Sequence, residues 1–248
     1  MTWLRLVRAE IRKLTTTKMP WGFLAVLVVV ACIDAAVVAF GTDMDGSKAF
    51  IATAADQQSL MAFATNSMLG TALFGAIAVA REYGHNTVVP TYLTSPRRAR
   101  AVLAQLTAVM LAGAALGLVA QAMITTSIAL ALPSTEYGFM VSAGDLTQLL
   151  AASTLAGAIG AVLGAGLGAV VRNLGGAVTA AVLVLFLIPP LAVQLVNDAV
   201  SWIPATLFAV ISGVSNEVSL GAALVAVTAW ALVPAVAGLV SIQRRDVV

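Results

Sequence analysis

Residues 20–40 read PWGFLAVLVVVACIDAAVVAF, a run that holds a single charged side chain, Asp34. At about 1.5 Å of rise per residue, these positions extend roughly 31 Å as an α-helix, close to the thickness of a bilayer's hydrocarbon layer. Inside lipid every backbone amide must find its partner within the structure, so a run of this length and composition reads as a membrane-crossing helix. Five more such runs follow, over residues 60–80, 102–132, 146–171, 175–196 and 220–240. The third is long enough to tilt strongly or to project from the membrane. The expected fold is an all-α membrane protein with six transmembrane helices, forming a single transmembrane domain over residues 1–248.

The composition agrees. Of 248 residues 60% are hydrophobic and 10% are charged, whereas a soluble domain carries about 25% charge. A water-soluble chain of this size cannot hide so much apolar surface, which excludes a soluble globular enzyme. One cysteine, Cys32, and one histidine, His85, exclude a disulfide framework and a Cys/His metal cluster within one chain.

Alternating spans sort the loops onto two sides, and the bases follow. Arg5, Arg8, Arg12, Lys13, Lys18, Arg81, Arg97, Arg98, Arg100, Arg172, Arg244 and Arg245 fall on the side shared by both termini; only Lys48 falls on the other. Asp43, Asp45, Asp56, Glu136, Asp145, Asp198 and Glu217 lie opposite, so a net charge of +2 conceals a dipolar molecule. The positive-inside bias predicts cytoplasmic termini in a cytoplasmic (inner) membrane, and the basic loops read as membrane anchors that meet lipids and not nucleic acid. Within residues 1–19, Trp3, Leu4, Val7, Ile11 and Leu14 recur at spacings of three and four. They predict an amphipathic helix lying in the interface, in place of a cleavable signal peptide.

Small residues inside the spans mark close helix packing. Gly160, Gly164 and Gly168 recur at every fourth position of the fourth span, beside Gly157 and Ala161, and Gly113 and Gly117 repeat the spacing in the third. They predict packing within the bundle; a subunit contact through the same ridge is the sharper alternative. Asp34, placed to reach the outer interface, and Gln121 are the polar residues assigned to a possible transport path. Pro189 and Pro190 should kink or end the fifth span. Residues 197–217, with Trp202, Ile203, Leu207, Phe208, Val210 and Ile211, are too apolar for a free loop and too few for a crossing. They predict a short re-entrant helical pair before the last span, whereas residues 41–59 read as a polar, acidic, solvated loop.

Residues 81–100 carry the most information. Arg81 and Glu82 end the second span, Gly84 and Asn86 turn the chain, a short helix runs from Thr87 or Pro90 to Leu93, and Ser95 with Pro96 stops it before the basic anchor. Such a surface element, presenting Val88, Val89, Tyr92 and Leu93, suits docking to a soluble partner.

Here the sequence resembles the permease subunits of bacterial type-2 ATP-binding-cassette exporters. In that family the second span ends in a Glu-aromatic-x-x-Gly/Asn-Thr run, followed by a cytoplasmic coupling helix and a Thr/Ser-Pro-x-Arg anchor. Glu82, Tyr83, Asn86, Thr87, Ser95, Pro96 and Arg98 occupy those places. The leader is similar to the family's elbow helix through Arg8, Ala9, Glu10, Lys13, Leu14 and Thr16. Asn86 stands where Gly is usual, and Pro90 sits inside the expected coupling helix. The resemblance implies ATPase docking through Glu82, Tyr83, His85, Asn86, Thr87, Val88, Val89, Pro90, Thr91, Tyr92 and Leu93. It implies two cytoplasmic ATPase subunits that hold ATP and Mg, and a second permease, identical or homologous, forming a dimer. This chain would bind no cofactor and contain no catalytic residue. Residues 41–46 have the glycine spacing of a phosphate loop, but Ser47 and Lys48 follow in the wrong order. Efflux of a lipophilic or amphipathic substrate is the expected function. The alternatives are an ion-gradient-driven secondary transporter, which needs midplane ion-binding groups, and an intramembrane enzyme, for which the lone His85 supplies no dyad within the membrane.

Overall fold

The computed structural model describes residues 3–44, 46–84 and 98–244. Every regular element among them is helical, and six helices are long and apolar enough to cross a membrane. A leader helix, Trp3–Thr15, precedes span 1, Met19–Phe40. Span 2 covers Ala54–Gly84, span 3 Arg98–Ala131, span 4 Ala143–Val171, span 5 Leu174–Leu195 and span 6 Leu220–Arg244. The chain is therefore organised as a multi-pass helical membrane protein. Spans 2, 4 and 6 start at the end that carries most acidic residues and finish at the end that carries most bases.

Span 4 is the axis of the bundle, with spans 2, 3 and 6 packed around it. Its glycines explain how one helix serves three neighbours. A Cβ on Gly164 would overlap the Ala72 carbonyl of span 2, one on Gly157 would overlap Gly113 of span 3, and one on Gly166 would strike Pro234 of span 6. Without a hydrophobic force between helices in lipid, such backbone approach supplies the dispersion contact that joins them. The glycine ridge is thus used inside the bundle.

Two spans are irregular. In span 2 a 3-10 turn, Ala62–Asn66, separates the helices Ala54–Met61 and Ser67–Gly84. In span 5 Pro189 and Pro190 do not end the helix. A π-helical turn over Leu183–Leu187 precedes them, and the helix resumes over Ile188–Leu195. Proline lacks the amide that closes the ladder, and one widened turn absorbs the mismatch.

The acidic end is more ordered than a solvated loop. Residues 54–59 belong to span 2, opened by a capping box of Thr53 and Asp56, and Ile51 and Gln57 are fully buried. The Gln57 amide donates to the carbonyls of Ile51 (3.1 Å) and Gly138 (2.9 Å) and accepts from the Met140 amide (3.0 Å). The expectation of a free loop over 41–59 fails because these apolar and amide groups close against the loop after span 3. Lys48, the exception to the charge sorting, donates to the carbonyls of Val38 (3.0 Å) and Ala39 (2.7 Å), completing the last turn of span 1.

Before span 6 lies the expected short pair, a 3-10 turn Asn197–Trp202 and a helix Pro204–Ile211. Leu207 and Phe208 are buried among residues of spans 2, 4 and 6. Two glutamines from different spans hold its last turn: Gln58 donates to the Ser212 carbonyl and Gln148 to the Ile211 carbonyl, each at 3.0 Å.

Candidate functional site

A polar cluster at the basic end forms where the leader helix meets the last turn of span 2. The Lys13 ammonium donates to Glu10 at 2.7 Å and to Glu82 at 3.3 Å. Gln105 of span 3 also hydrogen-bonds the Glu82 carboxylate. Burial by itself lowers the pKa of Lys13. The hydrogen bond to Glu10 and the charges of Glu82 and Glu10 outweigh it and hold the ammonium above its ordinary value. Lys13 stays charged throughout the physiological range, and the leader is tied to span 2 by an ion pair only partly open to water.

Tyr83, the next residue, is held from another side. The Arg172 guanidinium lies 5.3 Å from the centre of its ring, within cation–π range. Arg172 closes the C-terminus of span 4 in the left-handed conformation, φ 56°, a region that favours glycine. Its side chain also donates to the Ser241 carbonyl at 3.0 Å, in the last turns of span 6. Glu82 and Tyr83 are therefore gripped by the leader, span 3, span 4 and, through Arg172, span 6.

Of the residues expected to dock an ATPase, Glu82 and Tyr83 belong to this joint. His85, Asn86, Thr87, Val88, Val89, Pro90, Thr91, Tyr92 and Leu93 lie outside the described residues, as do Ser95 and Pro96. Glu10 and Lys13 of the expected elbow join it; Arg8 points away and is exposed. Arg172 and Gln105 were not singled out for this role by the sequence. The available signal was a basic residue directly after a long apolar helix, and an amide one turn inside another.

The two candidate path residues are not brought together. Gln121, fully buried, donates to the Met61 carbonyl (3.3 Å) and to Thr125 (3.1 Å) and accepts from Ser153 (2.7 Å). It is a satisfied tie between spans 2, 3 and 4. Asp34 does not reach out to an interface: it is 8% exposed, on the packed face of span 1 with Ala31 and Val38, and its Oδ2 has no hydrogen-bond partner among the described residues.

Several spaces border the spans among the described residues. A groove of about 840 Å³ between spans 1 and 3 is lined by residues such as Ala35 and Met123 but not by Asp34. A cavity of about 360 Å³ lies where the two irregular spans meet, between Thr65 and Asn66 of span 2, Leu185 and Phe186 of span 5, and Pro204 and Phe208 of the short helix. A third, of about 390 Å³, lies beneath the leader helix. Among the described residues no group of three or more His, Cys, Asp or Glu side chains is placed to hold a metal ion.

No protein-family model matches the chain, and no curated protein matches it. The fold and this joint define a class, a six-span helical membrane protein whose leader helix and second span are mechanically linked.

Proposed function

We propose that this chain is the permease subunit of an ATP-driven exporter, with its basic end and both termini in the cytoplasm of a cell bounded by that membrane. Two such permeases, identical or related, pair and dock two separate ATPase subunits that bind ATP and Mg. The observation that carries the reading is the joint at Glu82 and Tyr83. The residues that enter the 85–97 loop are tied by Lys13 to the leader and by Arg172 to spans 4 and 6. A push on that loop tilts several spans at once, which is what a motor acting from outside the membrane requires. The apolar walls of the spaces beside the spans favour a lipophilic or amphipathic cargo.

The test is copurification of the tagged full-length chain with its ATPase subunit, together with efflux from cells. Glu82→Ala is expected to lower efflux with the chain still inserted in the membrane. Intact ATPase association and efflux in that variant and in Tyr92→Ala overturn the assignment. A second reading, an ion-gradient-driven transporter, draws on the buried Oδ2 of Asp34, which has no hydrogen-bond partner among the described residues. It predicts transport that survives ATP depletion and collapses with an uncoupler.

A further inference from the structure

The leader helix has two flanks with different chemistry. One turns Glu10 and Lys13 toward Glu82. The other carries Ile11 and Thr15 over the cavity of about 390 Å³. Four elements enclose it: Ile11 and Leu14 from the leader, Pro20 and Leu24 from span 1, Phe74 from span 2, and Leu111 among the span 3 residues. Its volume falls in the range of roughly 300–1,000 Å³ typical of small-ligand sites. Apart from the Thr15 hydroxyl, the side chains that line it are apolar.

Arg8 and Arg12 stand on the same flank, one turn apart and next to Ile11 and Thr15 on the helix surface, with Lys18 just beyond the helix end. All three are exposed, and neither arginine forms an ion pair among the described residues. The acids on this helix and on the facing turn of span 2, Glu10 and Glu82, are engaged by Lys13 on the opposite flank. An apolar slot lined by four elements, beside a helix flank that carries two exposed arginines without an ion pair among the described residues, matches one kind of molecule in a membrane: an acyl chain joined to an anionic phosphate. Guanidinium forks suit phosphate oxygens, and the arginine stems cover the apolar neck between slot and headgroup.

The geometry points to a binding site for one anionic phospholipid beneath the leader helix, its acyl chain in the slot and its phosphate on Arg8 and Arg12. The lipid wedges the flank opposite Lys13, so its occupancy sets how firmly the leader presses on Glu82. The site is independent of what the bundle transports, and its test reads lipid binding alone.

Purified full-length protein, stripped of lipid, is titrated with phosphatidylglycerol and with phosphatidylcholine, and bound lipid is counted by native mass spectrometry. A preference for phosphatidylglycerol of about thirtyfold is expected, from about 1 kcal/mol for each of two basic residues at 1.4 kcal/mol per tenfold. The double substitution R8Q/R12Q should abolish that preference. Ala115→Phe, at an exposed position lining the slot, should weaken both lipids by a similar factor. Thermal melting checks that each variant is folded. Equal binding of the two lipids to the unaltered protein, a preference that survives R8Q/R12Q, or unchanged binding in Ala115→Phe each overturns the site.

Discussion

Replacing Gly164 by alanine tests whether span 4 is the axis of the bundle. The new Cβ meets the carbonyl oxygen, carbon and Cα of Ala72, and the farthest of these lies at 2.9 Å. Carbon atoms in contact prefer about 3.5–4.0 Å, and the carbonyl oxygen lies nearer still, so spans 2 and 4 must part by more than about 1 Å at this point. All three obstacles are backbone, and no side chain can swing aside. Overpacking of this kind costs about 1–3 kcal/mol. The control is Gly70→Ala in span 2, where nothing lies within 4 Å of the added atom. There the better helix propensity of alanine gains up to about 1 kcal/mol. The two variants should differ by about 2 kcal/mol or more, roughly 4 °C or more in melting temperature for a chain of this size. Melting is followed by tryptophan fluorescence in detergent, with oligomeric state measured alongside. If Gly164→Ala melts together with Gly70→Ala, or changes only the oligomeric state, the ridge does not hold spans 2 and 4 together and the central placement of span 4 is refuted.

A double-mutant cycle of Lys13→Met and Glu82→Gln should return a coupling of about 1 kcal/mol, since one partner is partly exposed and screened; additive effects on unfolding would remove the joint. Because the pKa of Lys13 is raised by folding above its ordinary 10.5, its stabilising contribution is fully present below that value and is lost as pH rises through the folded value. The coupling should therefore hold as pH rises from about 7 to 9, and a decline on that alkaline side would show that another group controls it. Gln57→Leu strands the carbonyls of Ile51 and Gly138 and the amide of Met140. It should cost about 2–3 kcal/mol and open the acidic-end loops to protease, whereas unchanged digestion would mean that water replaces the amide without loss.

The acids at the start of spans 2 and 4 carry a lesson about the charge sorting. Asp56 and Asp145 lie in the first turns of their helices, each bonded with the N-cap hydroxyl residue three positions earlier, Thr53 and Ser142. Arg172 lies where a basic side chain meets carbonyl ends, and Lys48 completes the last turn of span 1. Part of the asymmetry that reads as membrane sidedness is thus the complement of helix dipoles, acids at N-termini and bases at C-termini. The two causes coincide here because spans 2, 4 and 6 all run from the acidic to the basic end.

Residues 41–59 show where reading along the chain stops working. Gln57 looks like one more polar residue in a polar loop, yet it is fully buried. What buries it is the Gly138–Met140 segment, some 80 positions away. The glycines of span 4 were legible as packing residues, but not which of them faces span 2, span 3 or span 6. The prolines of span 5 were legible as a break in the ladder, but not the π-helical turn that repairs it.

The number of spans, their approximate limits, the leader helix and the short pair before span 6 were determined by the amino-acid sequence, because each follows from hydropathy summed over neighbouring residues. The tertiary structure alone decided that Lys13 meets Glu82 across 69 positions, that Arg172 caps span 4 while covering Tyr83, and that the leader lies over an apolar slot. An ion pair or a hydrogen bond is made or lost over about one ångström, and the summed hydropathy of a helix carries no information about its rotation or its neighbours at that scale.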